Sequence, residues 1–151
     1  MIRDDIKAAT ITSMKAGDLV RTGTLRLIAS AIKNRDIELR TGTPPADDDV
    51  LVAEVLSKMA KQRRESIEMY VQGNRPELAD AERAELGVIE GFMPAQMSAG
   101  EAQAKIREIV TEVGATSVKD MGKVMALVKE RFAGQIDMGT AGAMVKVALA
   151  G

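Results

Sequence analysis

A chain of 151 residues carrying 21 Lys and Arg against 22 Asp and Glu has room for one ordinary domain or two small ones, and its balanced charge argues against a protein whose main task is to coat a polyanion. The absence of Cys and His removes disulfides, thiolate nucleophiles, the usual general base near neutral pH and most zinc sites, while the acidic N-terminus MIRDDIKAAT and the lack of any apolar run of about 18 residues predict a cytoplasmic protein with no membrane partner. Apolar residues make up 46% of the chain but aromatics only 2%, so the core must be built from aliphatic residues and Met, which favours helix packed on helix over sheet.

Seven helices are predicted, and no segment alternates with period two. The first runs from about Ile2 to Ala16 and stops at Gly17. GDLVRTGT, Gly17 to Thr24, has two glycines and an arginine but not the residue order of a phosphate loop, and reads as an interhelix turn. The second helix opens after Gly23, presents Leu25, Ile28, Ile32 and Leu39 on one face, and ends at Thr41-Gly42 before Pro44-Pro45. Arg26, Lys33 and Arg40 recur every seven residues on one side of it. They read as a solvated stripe in preference to a phosphate-binding one, with Asp36 placed to pair Arg40 one turn on.

Asp47, Asp48 and Asp49 resemble a metal-binding run, but carboxylates at a helix N-terminus cap free N–H groups, and no metal is expected there. The third helix, about Asp49 to Gln72, is the longest and places Val52, Val55, Leu56, Met59, Ala60, Ile67 and Tyr70 on one stripe. Arg63 falls on that stripe. An arginine among apolar side chains must reach solvent or a carboxylate, and Glu82 or Glu85 on the fourth helix is the nearest counter-charge, which makes the three a structural ion-pair candidate. The fourth helix starts at Pro76 and reaches about Phe92.

MPAQMS, Met93 to Ser98, is the best boundary in the chain, because Pro94 ends one helix and Ser98 with Glu101 forms a capping box for the next. It separates a larger N-terminal helical bundle, residues 1–93, from a C-terminal unit of three helices, residues 98–151, and so short a join implies that the two touch. In the second unit, helices run from Ala99 to Val113, from Val118 or Asp120 to Phe132, and from Met138 to Ala150, punctuated by Gly114 and Gly134 and capped by Asp137.

For chemistry the sequence leaves Ser, Lys, Asp, Glu and Tyr70. No serine stands in a glycine-rich elbow, so neither catalytic residues nor a cofactor site is predicted. Lys119, Gly122, Lys123, Lys129, Arg131 and Lys146 lie on or around the sixth helix and are the candidates for binding tRNA or a protein partner. Gly122 would let a ligand or a packed backbone come close, and helix packing is the plainer reason for it.

These residues, in this order, resemble the YqeY family, free-standing relatives of the C-terminal tail of the GatB subunit of tRNA-dependent amidotransferases. The resemblance spans TLRLIASAIKNRDIE, KQRRESIEMY, NRPELADAERAEL, FMPAQMS and MGKVMALVKERFAGQID. It implies an all-α fold whose second unit is similar to the amidotransferase tail, which approaches the outer corner of the tRNA. Gly122, Lys123 and the turn at Gly134 correspond to the tail's glycine-bearing segment, and Ala126 departs from it where a second glycine is common. Members are often labelled carbon–nitrogen ligases with glutamine as amide donor, a label that on these residues describes the machinery the domain accompanies. The function implied is a non-catalytic helical module associated with tRNA or with the tRNA-charging and amidotransferase proteins. The alternative is a protein-interaction domain with no nucleic-acid role.

Overall fold

The computed structural model describes residues 1–45, 47–132 and 134–150. The protein is all-α, and the described residues form seven α-helices: α1 (Ile2–Lys15), α2 (Leu19–Glu38), α3 (Asp48–Gln72), α4 (Pro76–Glu90), α5 (Ala99–Val113), α6 (Met121–Phe132) and α7 (Met138–Ala150), with short 3-10 turns at Leu39–Thr41 and Val118–Asp120. The chain divides into two compact units, one over Met1–Met93 and one from Pro94 onward.

In the first unit, Gly17 takes the left-handed conformation (φ +72°) that ends α1, which a side chain would disfavour. The following stretch is not the turn that its glycines suggest. The Asp18 carboxylate accepts from the Arg21 amide (3.1 Å) and starts α2 at Leu19. Thr22 is buried, its hydroxyl 2.7 Å from that of Ser13 and donating to the Asp18 carbonyl (2.8 Å). A glycine inside a helix costs roughly 1 kcal/mol relative to alanine, and this buried pair plus the cap outweigh it at Gly23.

Leu25, Ile28 and Ile32 of α2 then meet Ile6 of α1, Ile89 of α4 and a run from Leu51 to Ala60 of α3 in one aliphatic core. Helices α3 and α4 form an antiparallel hairpin. At its turn Asn74 takes the left-handed conformation (φ +57°), and the Arg75 amide donates back to the Tyr70 carbonyl (2.8 Å).

The three aspartates before α3 separate in role. Asp47 caps α3, accepting from the Asp49 amide (2.9 Å), whereas Asp49 accepts from the Ile2 amide (2.9 Å) and Asp48 binds Arg3. Arg3 forks between Asp48 (2.7 and 3.0 Å) and Asp36 (2.9 and 3.2 Å). Asp36 therefore serves Arg3, not Arg40 as its spacing suggests. Arg40 lies past the end of α2 in the 3-10 turn, out of the register that would bring it over Asp36.

In the second unit, Ser98 caps α5 by accepting from the Glu101 amide (3.2 Å), and Gly114 (φ +67°) closes that helix. A reciprocal capping box stands ahead of α6: Ser117 Oγ accepts from the Lys119 amide (3.3 Å), and Asp120 Oδ2 accepts from the Ser117 amide (3.3 Å). Asp137 caps α7 through the Thr140 amide (3.0 Å). Ala102, Ile106 and Ile109 of α5, Val124 and Val128 of α6, and Ala141, Val145 and Leu149 of α7 close a second aliphatic core.

Candidate functional site

The start of α6 is built by its capping box. Asp120 accepts from the Thr116 amide (3.0 Å) as well as from Ser117, and these backbone donors, Thr116 first, hold its carboxyl below the usual carboxylate range. Lys119 and Lys123 flank it one turn apart, both exposed. Between them Gly122 is exposed, and a Cβ added there would meet nothing within 4 Å. Packing inside this unit therefore does not require a glycine at 122, and Ala126, one turn on, is exposed too.

Of the other basic candidates, Arg131 is committed to a bidentate pair with Glu112 on α5, both contacts at 2.7 Å. That hydrogen bond from Arg131 keeps the Glu112 carboxyl below its ordinary range. Lys129 and Lys146 are exposed. Lys129 lies six residues beyond Lys123, roughly 9 Å along the axis and a third of a turn round, so the lysines do not form one compact patch. Lys119 and Lys123 with Gly122 do.

Since no neighbour fills the space at Gly122, alanine there should add helix propensity. We expect Gly122→Ala to stabilise the protein by about 0.5–1 kcal/mol in urea unfolding. A loss of stability would show that the helix needs a backbone only glycine can supply.

Arg63 is mostly buried, with 18% of its side chain exposed; its Nε lies 2.7 Å from Glu85 Oε2 and 3.4 Å from Glu82 Oε2. That Glu82 oxygen is buried and has no hydrogen-bond donor, so the arginine's charge is what faces it. On α2, Arg26 is exposed with Nη2 3.8 Å from Met14 Sδ, Lys33 is exposed, and Arg40 stands outside the helix, so the seven-residue stripe does not persist as one surface. Among the described residues no group of three or more Asp or Glu is arranged to hold a metal, and no helix is long and apolar enough to cross a membrane.

Sequence reasoning missed Arg3, the Arg131–Glu112 pair and the Arg21 guanidinium over the Phe92 ring (5.9 Å to the centroid). Each joins distant positions, and the partners of Arg3 are 33 and 45 residues away. An arginine beside a helix start carries no local mark of such partners.

The protein is an all-helical module held by arginine–carboxylate links between helices, with a small basic capped turn exposed at the start of α6. A profile of the Yqey-like protein family matches residues 3–149, and the chain belongs to that family. It is similar to altered inheritance of mitochondria protein 41, mitochondrial, from several yeasts. It is 31% identical to the Lachancea thermotolerans protein over 74% of this chain and 57% of the relative. The Meyerozyma guilliermondii protein is 32% identical over 79% and 62%, and the Eremothecium gossypii protein 32% identical over 99% and 79%. The chain thus spans about three-fifths of the first two relatives. The cytoplasmic expectation is overturned by these names: the relatives are mitochondrial proteins. Neither an acidic first turn nor the lack of a spanning helix distinguishes one aqueous compartment from another.

Proposed function

We propose that this chain is a non-catalytic helical module that associates with tRNA or with the proteins that charge and amidate it. The observation that carries the reading is the exposed pair Lys119 and Lys123 around an unobstructed Gly122 at the start of α6, in the segment that resembles the amidotransferase tail. Two cations and a bare backbone suit a phosphate ridge. The lack of His and Cys supports a binding role over a catalytic one. The compartment to which the relatives' names point is the mitochondrion.

With two phosphate contacts, affinity for tRNA should be weak, and its logarithm should fall with the logarithm of salt concentration at a slope of about −1.8 on duplex regions and −1.4 on single strands. Fluorescence titration of labelled tRNA at two salt concentrations reads this. Lys123→Ala should flatten the slope by about one contact. Absence of binding at low salt would overturn the tRNA reading, and glutamine hydrolysis by the purified chain would overturn the non-catalytic one.

A second reading, a protein-interaction module, is favoured by an apolar cavity of about 230 Å³ between α5 and α7, lined by Ile106, Met144 and Ala148 beside Val147, which is 74% exposed. Partners retained from nuclease-treated extract and not displaced by tRNA would favour it.

A further inference from the structure

We propose that the groove between α2 and α3 binds a small zwitterion of the α-amino acid class. This site lies in the first unit and does not depend on the reading of α6. Helix α3 packs principally on α4, and α2 principally on α1, so the facing flanks of α2 and α3 leave a cavity of about 440 Å³. That volume falls in the range of small-molecule sites.

The two walls repeat one chemistry. On α2 stand Asn34, Arg35 and Glu38, and on α3 stand Gln62, Lys58 and Glu54, so each side offers an amide, a cation and a carboxylate. Val55 and Met59, both buried, form the apolar part of the lining together with Ala31 of α2. The spacing follows from the helix: 34, 35 and 38 share a face, as do 54, 58 and 62.

Two cations and two carboxylates give a lining with no net charge but with separated charges. An anion alone would meet Glu38 and Glu54, and a cation alone would meet Arg35 and Lys58. A molecule bearing both groups a few ångströms apart satisfies both. Arg35 donates through Nη1 to Glu38 (2.9 Å), which orients the guanidinium and leaves the rest of its donor fork for a carboxylate. Lys58 is exposed and, among the described residues, makes no hydrogen bond or ion pair through its ammonium. The ligand's carboxylate would lie between Arg35 and Lys58 and its ammonium by Glu38 and Glu54. An aliphatic side chain would cover Met59 and Val55. Asn34 and Gln62 can donate to or accept from either end.

The test is a titration of the full isotope-labelled chain, without tRNA, followed by amide chemical shifts. The probes are leucine and its two halves, isocaproate, which lacks the ammonium, and leucine methyl ester, which lacks the carboxylate. We expect leucine to shift amides of α2 and α3 around the groove and to bind at least about tenfold more tightly than either half. Lys58→Met and Arg35→Met should each weaken leucine about tenfold, with Lys58→Arg restoring most of the loss and melting curves confirming that the variants fold. Shifts located elsewhere, no shifts at all, or halves that bind as well as leucine would overturn the proposal. The comparison of probes on the unmodified chain decides it even if a variant fails to fold.

Discussion

Replacing Arg63 with alanine is expected to destabilise the unit Met1–Met93 by about 2–3 kcal/mol, read as a shift in the urea midpoint. The arginine is 18% exposed and faces Glu85 at 2.7 Å and Glu82 at 3.4 Å, with the near Glu82 oxygen buried and lacking a donor. Its removal strands two neighbouring carboxylates with no counter-charge. The effect lies below that of a fully buried pair, since both glutamates keep some contact with water, and above that of a surface pair, which is worth about 1 kcal/mol or less. Arg63→Met keeps much of the stem volume and should still be costly while both glutamates remain. Replacing Glu85 with Gln should soften it. A double-mutant cycle should give a coupling of about 1–2 kcal/mol between Arg63 and Glu85. Coupling near zero to both glutamates would reassign KQRRES from support of the α3–α4 hairpin to contact with a ligand.

The second large effect is expected at Arg3, where methionine should cost about 1–2 kcal/mol near neutral pH, because four charge-assisted hydrogen bonds to Asp36 and Asp48 are lost and the sites are partly exposed. The loss should depend on pH in a definite direction. The Arg3 hydrogen bond holds the Asp48 carboxyl below its ordinary value of 3.8, against the opposing effect of burial. A carboxyl depressed in the folded state stabilises the fold fully above its unfolded value, and that contribution disappears as the pH falls through the lower folded value. Arg3 itself is raised above its ordinary value by the same contacts. Its share is complete below the unfolded value and is lost only in strong alkali. The difference between wild type and Arg3→Met should therefore be widest near neutrality and shrink as the pH falls below the ordinary Asp48 value of 3.8. A difference that stays constant across that interval would mean that Arg3 acts through the packing of its stem and not through Asp48.

Much of the helical framework was legible because its signals act over a few residues. Gly17, Gly114 and the caps at Ser98 and Asp137 are written locally, and the spacing of Leu25, Ile28 and Ile32 marks a face that must be buried whatever it meets. The stripe of α3 reads correctly from Val52 to Ala60, but Ile67 and Tyr70 are only half-buried. The far end of that helix packs mainly on α4, and periodicity does not tell how many neighbours a helix has.

The all-helical class, most helix ends and the aliphatic core faces follow from the order of residues, because propensity, caps and 3.6-residue periodicity are properties of neighbouring residues. Which charges pair and which surfaces stay open depends on how the helices assemble. Asp36 took Arg3, 33 positions away, in place of a neighbour at helical spacing. Burial of Thr22 against Ser13 carried α2 through Gly23. The space around Gly122 and the groove between α2 and α3 depend on where other helices lie. An ion pair or an open face is a relation between elements, and its energy depends on distance and burial that no single segment encodes.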